Sequence, residues 1–207
     1  MNNKKSEEIL NELKLIIQNP KCELDFKNPF ELVIAVTLSA QTTDKRVNEI
    51  TKILFMKYPD AKALSNASFD SIYEIIKPLG LANSKAKNII SIAHDIHNIY
   101  NDIVPNTIEE LTKLNGVGRK TASVVLAVGF NIPAFPIDTH LIRMATRLGY
   151  SKSNDPLIVE KDYKRYIKKD DWIIAHHLFL LFGRYHCKAI NPSCSDCKLK
   201  KYCKFDH

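Results

Sequence analysis

Apolar positions recur every three or four residues along almost the whole chain, and no stretch sustains the alternation of a half-buried strand. Ile9, Leu10, Leu13, Ile16 and Ile17 form one such stripe, with Ser6 ahead of it as the expected cap. Asn28-Pro29-Phe30-Glu31 offers an N-cap, a proline at the first helical position and an acid at the third. The apolar run from Phe30 to Leu38 then predicts a buried helix. Polar residues Ser39 to Asp44 break it before another helix that runs to about Tyr58. A helix over about Ser68–Lys77 stops at Pro78-Leu79-Gly80. Asn83 or Ser84 is expected to cap the next, whose stripe is Ile89, Ile90, Ala93, Ile96 and Ile99.

Thr107-Ile108-Glu109-Glu110 reads as a capping box opening a short helix that ends at Asn115-Gly116-Val117-Gly118. Arg119 to about Ala127 begins another. Pro133 and Pro136 keep Asn131 to Asp138 extended or turned. A helix is expected over about Thr139–Leu148 with Gly149 as its C-terminal stop, and two more over about Leu157–Lys169 and Asp171–Tyr185. The chain reads as all-α.

The chain has 207 residues, 45% of them hydrophobic and 26% charged, which is the balance of an ordinary globular protein with a real core. Its net charge of +7 makes a polyanion a reasonable partner without naming one. No apolar run approaches the roughly 18 residues of a membrane span. Asn11, Glu12 and Lys14 interrupt the apolar stretch a signal peptide needs, so a cytoplasmic protein is expected, with no membrane contact. Five cysteines, clustered rather than scattered, argue against a secreted disulfide scaffold.

Four of them, Cys187, Cys194, Cys197 and Cys203, follow the spacing C-x6-C-x2-C-x5-C. Thiolates at such intervals suit one tetrahedral zinc or one iron–sulfur centre. Cys22 lies outside the group and reads as a small, partly buried hydrophobe. His94, His97, His176, His177 and His186 have no ligand spacing.

Upstream, Leu114-Asn115-Gly116-Val117-Gly118-Arg119-Lys120-Thr121-Ala122 sets two glycines between two helices. Glycines let a backbone approach a ligand closely, and the amides and dipole at the next helix start suit a phosphate oxygen. Read alone, the motif serves equally as a tight αα-hairpin packed for its own sake.

This stretch, Pro136-Ile137-Asp138-Thr139-His140 and the cysteine tail together resemble the helix-hairpin-helix DNA glycosylases with an iron–sulfur cluster, and within them the endonuclease III family. Leu38-Ser39-Ala40-Gln41-Thr42-Thr43-Asp44 and Gly80-Leu81-Ala82-Asn83-Ser84-Lys85-Ala86 are similar to that family in the same order, so the resemblance runs from about Asn28 to Cys203. Asn115 departs from it, standing where the family usually has proline. The resemblance implies a six-helix domain over about residues 22–133 and a discontinuous second domain of residues 1–21 and 134–207 around a [4Fe–4S] cluster, with a cleft between them. It implies that Cys187, Cys194, Cys197 and Cys203 ligate the cluster; a single C-x2-C pair fits zinc modules less well. The implied partner is duplex DNA carrying a damaged base or an abasic site, bound by a monomer at the nucleoid of a bacterium.

The implied activity is removal of oxidised or ring-saturated pyrimidines together with lyase cleavage at the abasic site. Lys120 is the implied nucleophile, forming a Schiff base at the sugar, and Asp138 its carboxylate partner. Desolvation and the adjacent Arg119 are expected to lower the lysine pKa from about 10.4 towards roughly 7–8, while Asp138 opposes that. The adenine-removing branch of the superfamily lacks lysine at this position and usually carries a further domain. Gln41 and Leu81 are implied as wedges that fill the stack after a nucleotide is extruded; Leu81 also reads as a loop anchor. Gly116, Val117, Gly118, Arg119 and His140 are expected at the DNA backbone, and Ser39 and Asp44 at the base pocket. Lys188, Lys198, Lys200 and Lys201 add a basic loop suited to phosphate contact.

Overall fold

A computed structural model of the chain describes residues 1–205, and among them lie eleven α-helices and no strand. The chain opens with α1 (Asn3–Ile16), then builds α2 (Pro29–Leu38), α3 (Asp44–Lys57), α4 (Ala61–Ser65), α5 (Phe69–Ile76), α6 (Ala82–Asn98), α7 (Ile108–Leu111) and α8 (Arg119–Val124). It continues with α9 (Thr139–Leu148), α10 (Pro156–Tyr166) and α11 (Trp172–Tyr185). Two compact units result: Glu23–Ile132, and Met1–Cys22 together with the chain from Pro133 onward. No helix among the described residues is long and apolar enough to cross a membrane.

In the Glu23–Ile132 unit, α2 is buried from Phe30 to Leu38, as its unbroken apolar run requires. Asn28 caps it by accepting the Glu31 amide at 2.9 Å, and Pro29 occupies the first turn, where a missing N–H costs nothing. The Glu31 carboxylate reaches back to the Lys27 amide at 2.8 Å. Around α2 pack the apolar faces of α3 and α6, with Val47, Leu54, Ile89, Ile92, Ala93 and Ile96 all fully buried. Ile99, expected in the α6 stripe, instead ends the helix and is 64% exposed. Neither Asn83 nor Ser84 caps α6: both lie inside it, and the cap residue is Leu81, in a left-handed conformation.

The capping box at Thr107 is half formed. Thr107 accepts the Glu110 amide at 3.2 Å, but the Glu110 carboxylate bonds the Tyr100 hydroxyl at 2.7 Å and the Lys113 amine at 2.6 Å instead of returning to the cap. Helix α8 is shorter than expected because Val125–Gly129 widens into a π-helical turn.

In the other unit, α1 starts earlier than expected. Asn2 is its cap, accepting the Lys5 amide at 2.8 Å, and Ser6 is buried in the helix with its hydroxyl 2.8 Å from that of Tyr150. The core is aromatic: Tyr163 stacks with Phe135 at 5.0 Å and meets the tilted ring of Tyr150 at 4.7 Å, and its hydroxyl donates to the Leu141 carbonyl at 3.0 Å. Leu199 and Tyr202 from the cysteine tail bury themselves in this same core, which anchors a segment too polar to make one of its own. Helix α10 stops at Tyr166, where Ile167 turns extended, and Lys169–Asp171 forms a separate 3-10 turn.

Candidate functional site

The turn before α8 shows why one of its two glycines is obligatory. Gly116 has φ +79°, and a Cβ there would lie 2.4 Å from the Asn88 side-chain nitrogen on α6. Gly118 differs: its φ is −83°, and a Cβ would meet nothing within 4 Å. The fold therefore has no internal need for glycine at 118, and open space lies where its side chain would be. Between them Val117 is buried and pins the turn to the core. Arg119 and Lys120, at the start of α8, are both exposed, while Ala122 to Ala127 are buried. The turn thus projects an arginine and a lysine outward from a fixed base.

Asp138 is the N-cap of α9, accepting the Leu141 amide through Oδ1 at 3.0 Å. The next polar residues on that helix form a chain of contacts toward the cysteines. The His140 Nδ1 lies 3.0 Å from Arg143 Nη2, which also donates to the Gly183 carbonyl at 2.6 Å. Arg143 Nε donates to the Cys187 carbonyl at 3.0 Å. One turn on, the buried Arg147 donates to the Cys187 Sγ at 3.1 Å and to the Lys188 carbonyl at 2.8 Å. Two arginines of α9 therefore hold the start of the cysteine loop. The cysteine spacing gives no hint of either.

Among the described residues, no three histidine, cysteine or carboxylate side chains are gathered as a single metal ion requires. The four sulfurs are nonetheless neighbours. Burial pushes the Cys197 thiol up, the Leu199 amide partly offsets it, and Cys187, Cys203 and Cys194 each add like charge. The Phe205 amide donates to Cys203 Sγ at 3.5 Å. Four half-buried thiols, with the Arg147 guanidinium on Cys187 Sγ and the Phe205 amide on Cys203 Sγ, fit a centre that takes thiolates from several directions. A compact single-ion site is the poorer fit. Cys22 is half-buried and in the sequence stands far from this group.

Gln41 and Leu81 share an unusual backbone. Both have left-handed φ, 55° and 53°, and both are exposed, Leu81 by 55%. A leucine there costs roughly 1–2 kcal/mol relative to ordinary backbone and recovers little of it by burial. Leu81 is thus held out from its loop rather than anchoring it. The two loops are joined by a residue to which the motifs assign no role: Lys85, 3% exposed, whose amine donates to Thr42 Oγ1 at 2.9 Å and to the Leu79 carbonyl at 3.0 Å. A signal for it exists in the sequence, since Lys85 falls on the α6 stripe of Ala82, Ala86 and Ile89 where an apolar residue is expected. Ser39, half-buried, donates its hydroxyl to the Val36 carbonyl at 2.8 Å, and Asp44 opens α3 behind its cap, Thr43.

The remaining histidines have ordinary surroundings for the most part. His97 bonds Asp102 at 2.9 Å and His176 lies 2.9 Å from the Pro136 carbonyl. His177 is buried, its Nδ1 has no hydrogen-bond partner among the described residues, and burial lowers its pKa. An apolar cavity of about 370 Å3 lined by Pro29, Phe30, Pro59, Ile103 and Phe130 includes none of the catalytic, DNA-contacting or cysteine residues expected from sequence.

Comparison with known proteins places these features in a family. The sequence matches the HhH-GPD superfamily base excision DNA repair proteins over residues 34–169. Endonuclease III of Bacillus subtilis is 43% identical over 205 residues, spanning 99% of this chain and 94% of its own. Endonuclease III of Rickettsia felis is 46% identical over 187 residues, spanning 90% and 88%. Among solved structures, a trapped Endonuclease III–DNA covalent intermediate aligns with a TM-score of 0.94 at 42% identity, over 99% of this chain and 96% of that one. A thermostable thymine-DNA glycosylase, 21% identical with a TM-score of 0.87 over 98% of this chain and 96% of its own, shares the fold.

Proposed function

The chain belongs to the endonuclease III family, within the HhH-GPD superfamily of base excision DNA repair proteins, and we propose that it excises oxidised or ring-saturated pyrimidines from duplex DNA and then cuts the abasic strand. The observation that carries this reading is the near full-length match to a relative caught covalently on DNA, combined with an exposed lysine at position 120, directly after the hairpin. The protein is read as a monomer acting in the cytoplasm of a bacterium; the organisms of the similar Endonuclease III chains, Bacillus subtilis and Rickettsia felis, are bacteria.

In this mechanism Lys120 is the nucleophile. Its uncharged nitrogen attacks the sugar C1′ as the glycosidic bond breaks, and the base departs with that electron pair. Loss of a nitrogen proton and opening of the ring give an imine. The imine makes the C2′ proton acidic, so its removal expels the 3′ phosphate by β-elimination. Water then releases the lysine. Because Lys120 is exposed, the bound nucleotide has to supply the dry surroundings that favour a neutral amine. Asp138 keeps Oδ1 on the helix cap, leaving Oδ2 to take the lysine proton or to stabilise positive charge on the sugar.

Binding is assigned to backbone and wedge. Gly116 shapes the turn, Val117 anchors it, and Gly118 and the following amides meet phosphate in the open space at 118. Arg119 and His140 add contacts to the backbone. Gln41 and Leu81 enter the stack vacated by the extruded nucleotide, and Ser39 and Asp44 border the base. Cys187, Cys194, Cys197 and Cys203 hold a [4Fe–4S] cluster, which when bound cross-links the tail and supplies no redox step to base removal. Lys188, Lys198 and Lys200, exposed on that tail, are suited to phosphate.

Duplexes carrying one thymine glycol, one abasic site or one mismatched adenine test this reading. Cleavage of the first two and not the third is expected. Release of adenine without strand scission would assign the chain to the adenine-removing branch.

A further inference from the structure

Lys85 is a buried ammonium for which burial alone lowers the pKa, and among the described residues no carboxylate offsets it. Its hydrogen bonds tie together two chain segments that neighbour the proposed wedges. Thr42, which follows Gln41, receives one bond at 2.9 Å, and the carbonyl of Leu79, two residues before Leu81, receives the other at 3.0 Å. The Thr42 hydroxyl itself donates to the Leu79 carbonyl at 2.7 Å, which closes a three-membered ring of contacts. An apolar side chain of the same length would fill this position at lower desolvation cost. Stability is therefore a poor account of a lysine here. What the amine does, and a methylene chain cannot, is fix the separation of the two loops.

We propose that Lys85 is a positioning residue that makes the Gln41 loop and the Leu81 loop one rigid element, so that both side chains enter the DNA stack together. This rests on the wedge reading of Gln41 and Leu81 given above. The left-handed backbones of those two residues are costly conformations that persist only where the surroundings over-determine them. The ring of contacts at Lys85 supplies such a constraint to both loops at once. The residue touches neither sugar nor base in this account. Its effect is confined to substrates in which a helix must be opened and the gap filled.

That confinement is the test. The same abasic strand is offered to the full, metal-loaded chain either in a duplex or alone, and single-turnover β-elimination is measured. Lys85→Met, which keeps length and removes the donors, is expected to cut the duplex about ten- to hundredfold more slowly, the range that loss of charge-assisted hydrogen bonds represents. It is expected to cut the single strand within about twofold of wild type. Thr42→Val, which keeps shape and removes the bridging hydroxyl, should show the same substrate dependence. A 2-aminopurine next to the abasic site should also lose its fluorescence rise in both variants, since that reports unstacking rather than chemistry. Equal losses on duplex and single strand, in either variant, would make Lys85 a folding residue and overturn the proposal. So would wild-type rates on both. Wild-type protein that cuts neither strand would remove the lyase reading itself, and this inference with it.

Discussion

Asp138 Oδ1 and the Leu141 amide lie 3.0 Å apart, so the carboxylate assigned to chemistry also caps the helix on which it stands. The two duties separate on substitution. Asparagine keeps the cap acceptor and alanine removes it, whereas neither retains a carboxylate. Asp138→Asn is therefore expected to unfold in urea within about 0.5 kcal/mol of wild type, and Asp138→Ala to lose about 1 kcal/mol. Excision by both should fall at least about a hundredfold, the scale of lost acid–base catalysis. An asparagine variant with normal excision would leave the capping duty alone.

The two hairpin glycines should fail in different ways. Gly116→Ala forces a side chain into a left-handed backbone and against Asn88, so roughly 1–2 kcal/mol of stability or more should be lost from the backbone alone. Gly118→Ala meets no atom within 4 Å and should leave the melting curve where it was. Its duplex Kd should nonetheless rise, because the added methyl stands where phosphate is expected. Equal affinity for wild type and Gly118→Ala, measured by fluorescence anisotropy, would separate that glycine from DNA.

His177 predicts an acid-side loss of stability. Burial holds its imidazole below the ordinary value of 6.5, and among the described residues its Nδ1 has no partner to stabilise the cation. The unfolded chain thus takes up this proton before the folded one does. Its contribution to stability is complete above about 6.5 and declines as pH falls from there towards the lowered folded value. Urea unfolding of wild type and His177→Leu across that window should show a shallower pH slope for the variant. Parallel slopes would mean the histidine is not the titrating group.

The basic tail makes a claim about salt. Lys201 is already bonded to Glu12 at 3.2 Å, so Lys188, Lys198 and Lys200 are the better candidates for phosphate. Replacing those three with glutamine should flatten log K against log salt, by about 0.9 for each phosphate that is no longer neutralised. An unchanged slope would return the loop to solvent.

Much of the fold is legible in the sequence because local rules and global packing agree. Asn28-Pro29 caps α2 as its residue types demand, and the span Thr139–Leu148 with Gly149 matches α9, where the glycine takes φ 79°. The differences arise where tertiary contacts override a local preference. Ser6 has the residue type of a cap, yet its hydroxyl is taken by Tyr150, distant in sequence. Leu81 lacks any capping group, so by residue type Asn83 and Ser84 are the better starts for α6. The π-helical turn at Val125–Gly129 has no pattern of its own, because a run of buried apolar residues fits an α-helix equally well. Lys85 is visible as a misplaced lysine, but its partners Thr42 and Leu79 belong to loops that only the fold brings together.

The most direct test concerns the nitrogen of Lys120. Wild-type protein, abasic duplex and sodium borohydride should give a covalent protein–DNA adduct, visible as a slower band under denaturing conditions. Lys120→Gln should bind the same duplex with comparable affinity and give no adduct and no strand cleavage. Undiminished trapping by Lys120→Gln would place the Schiff base on another amine and contradict the account.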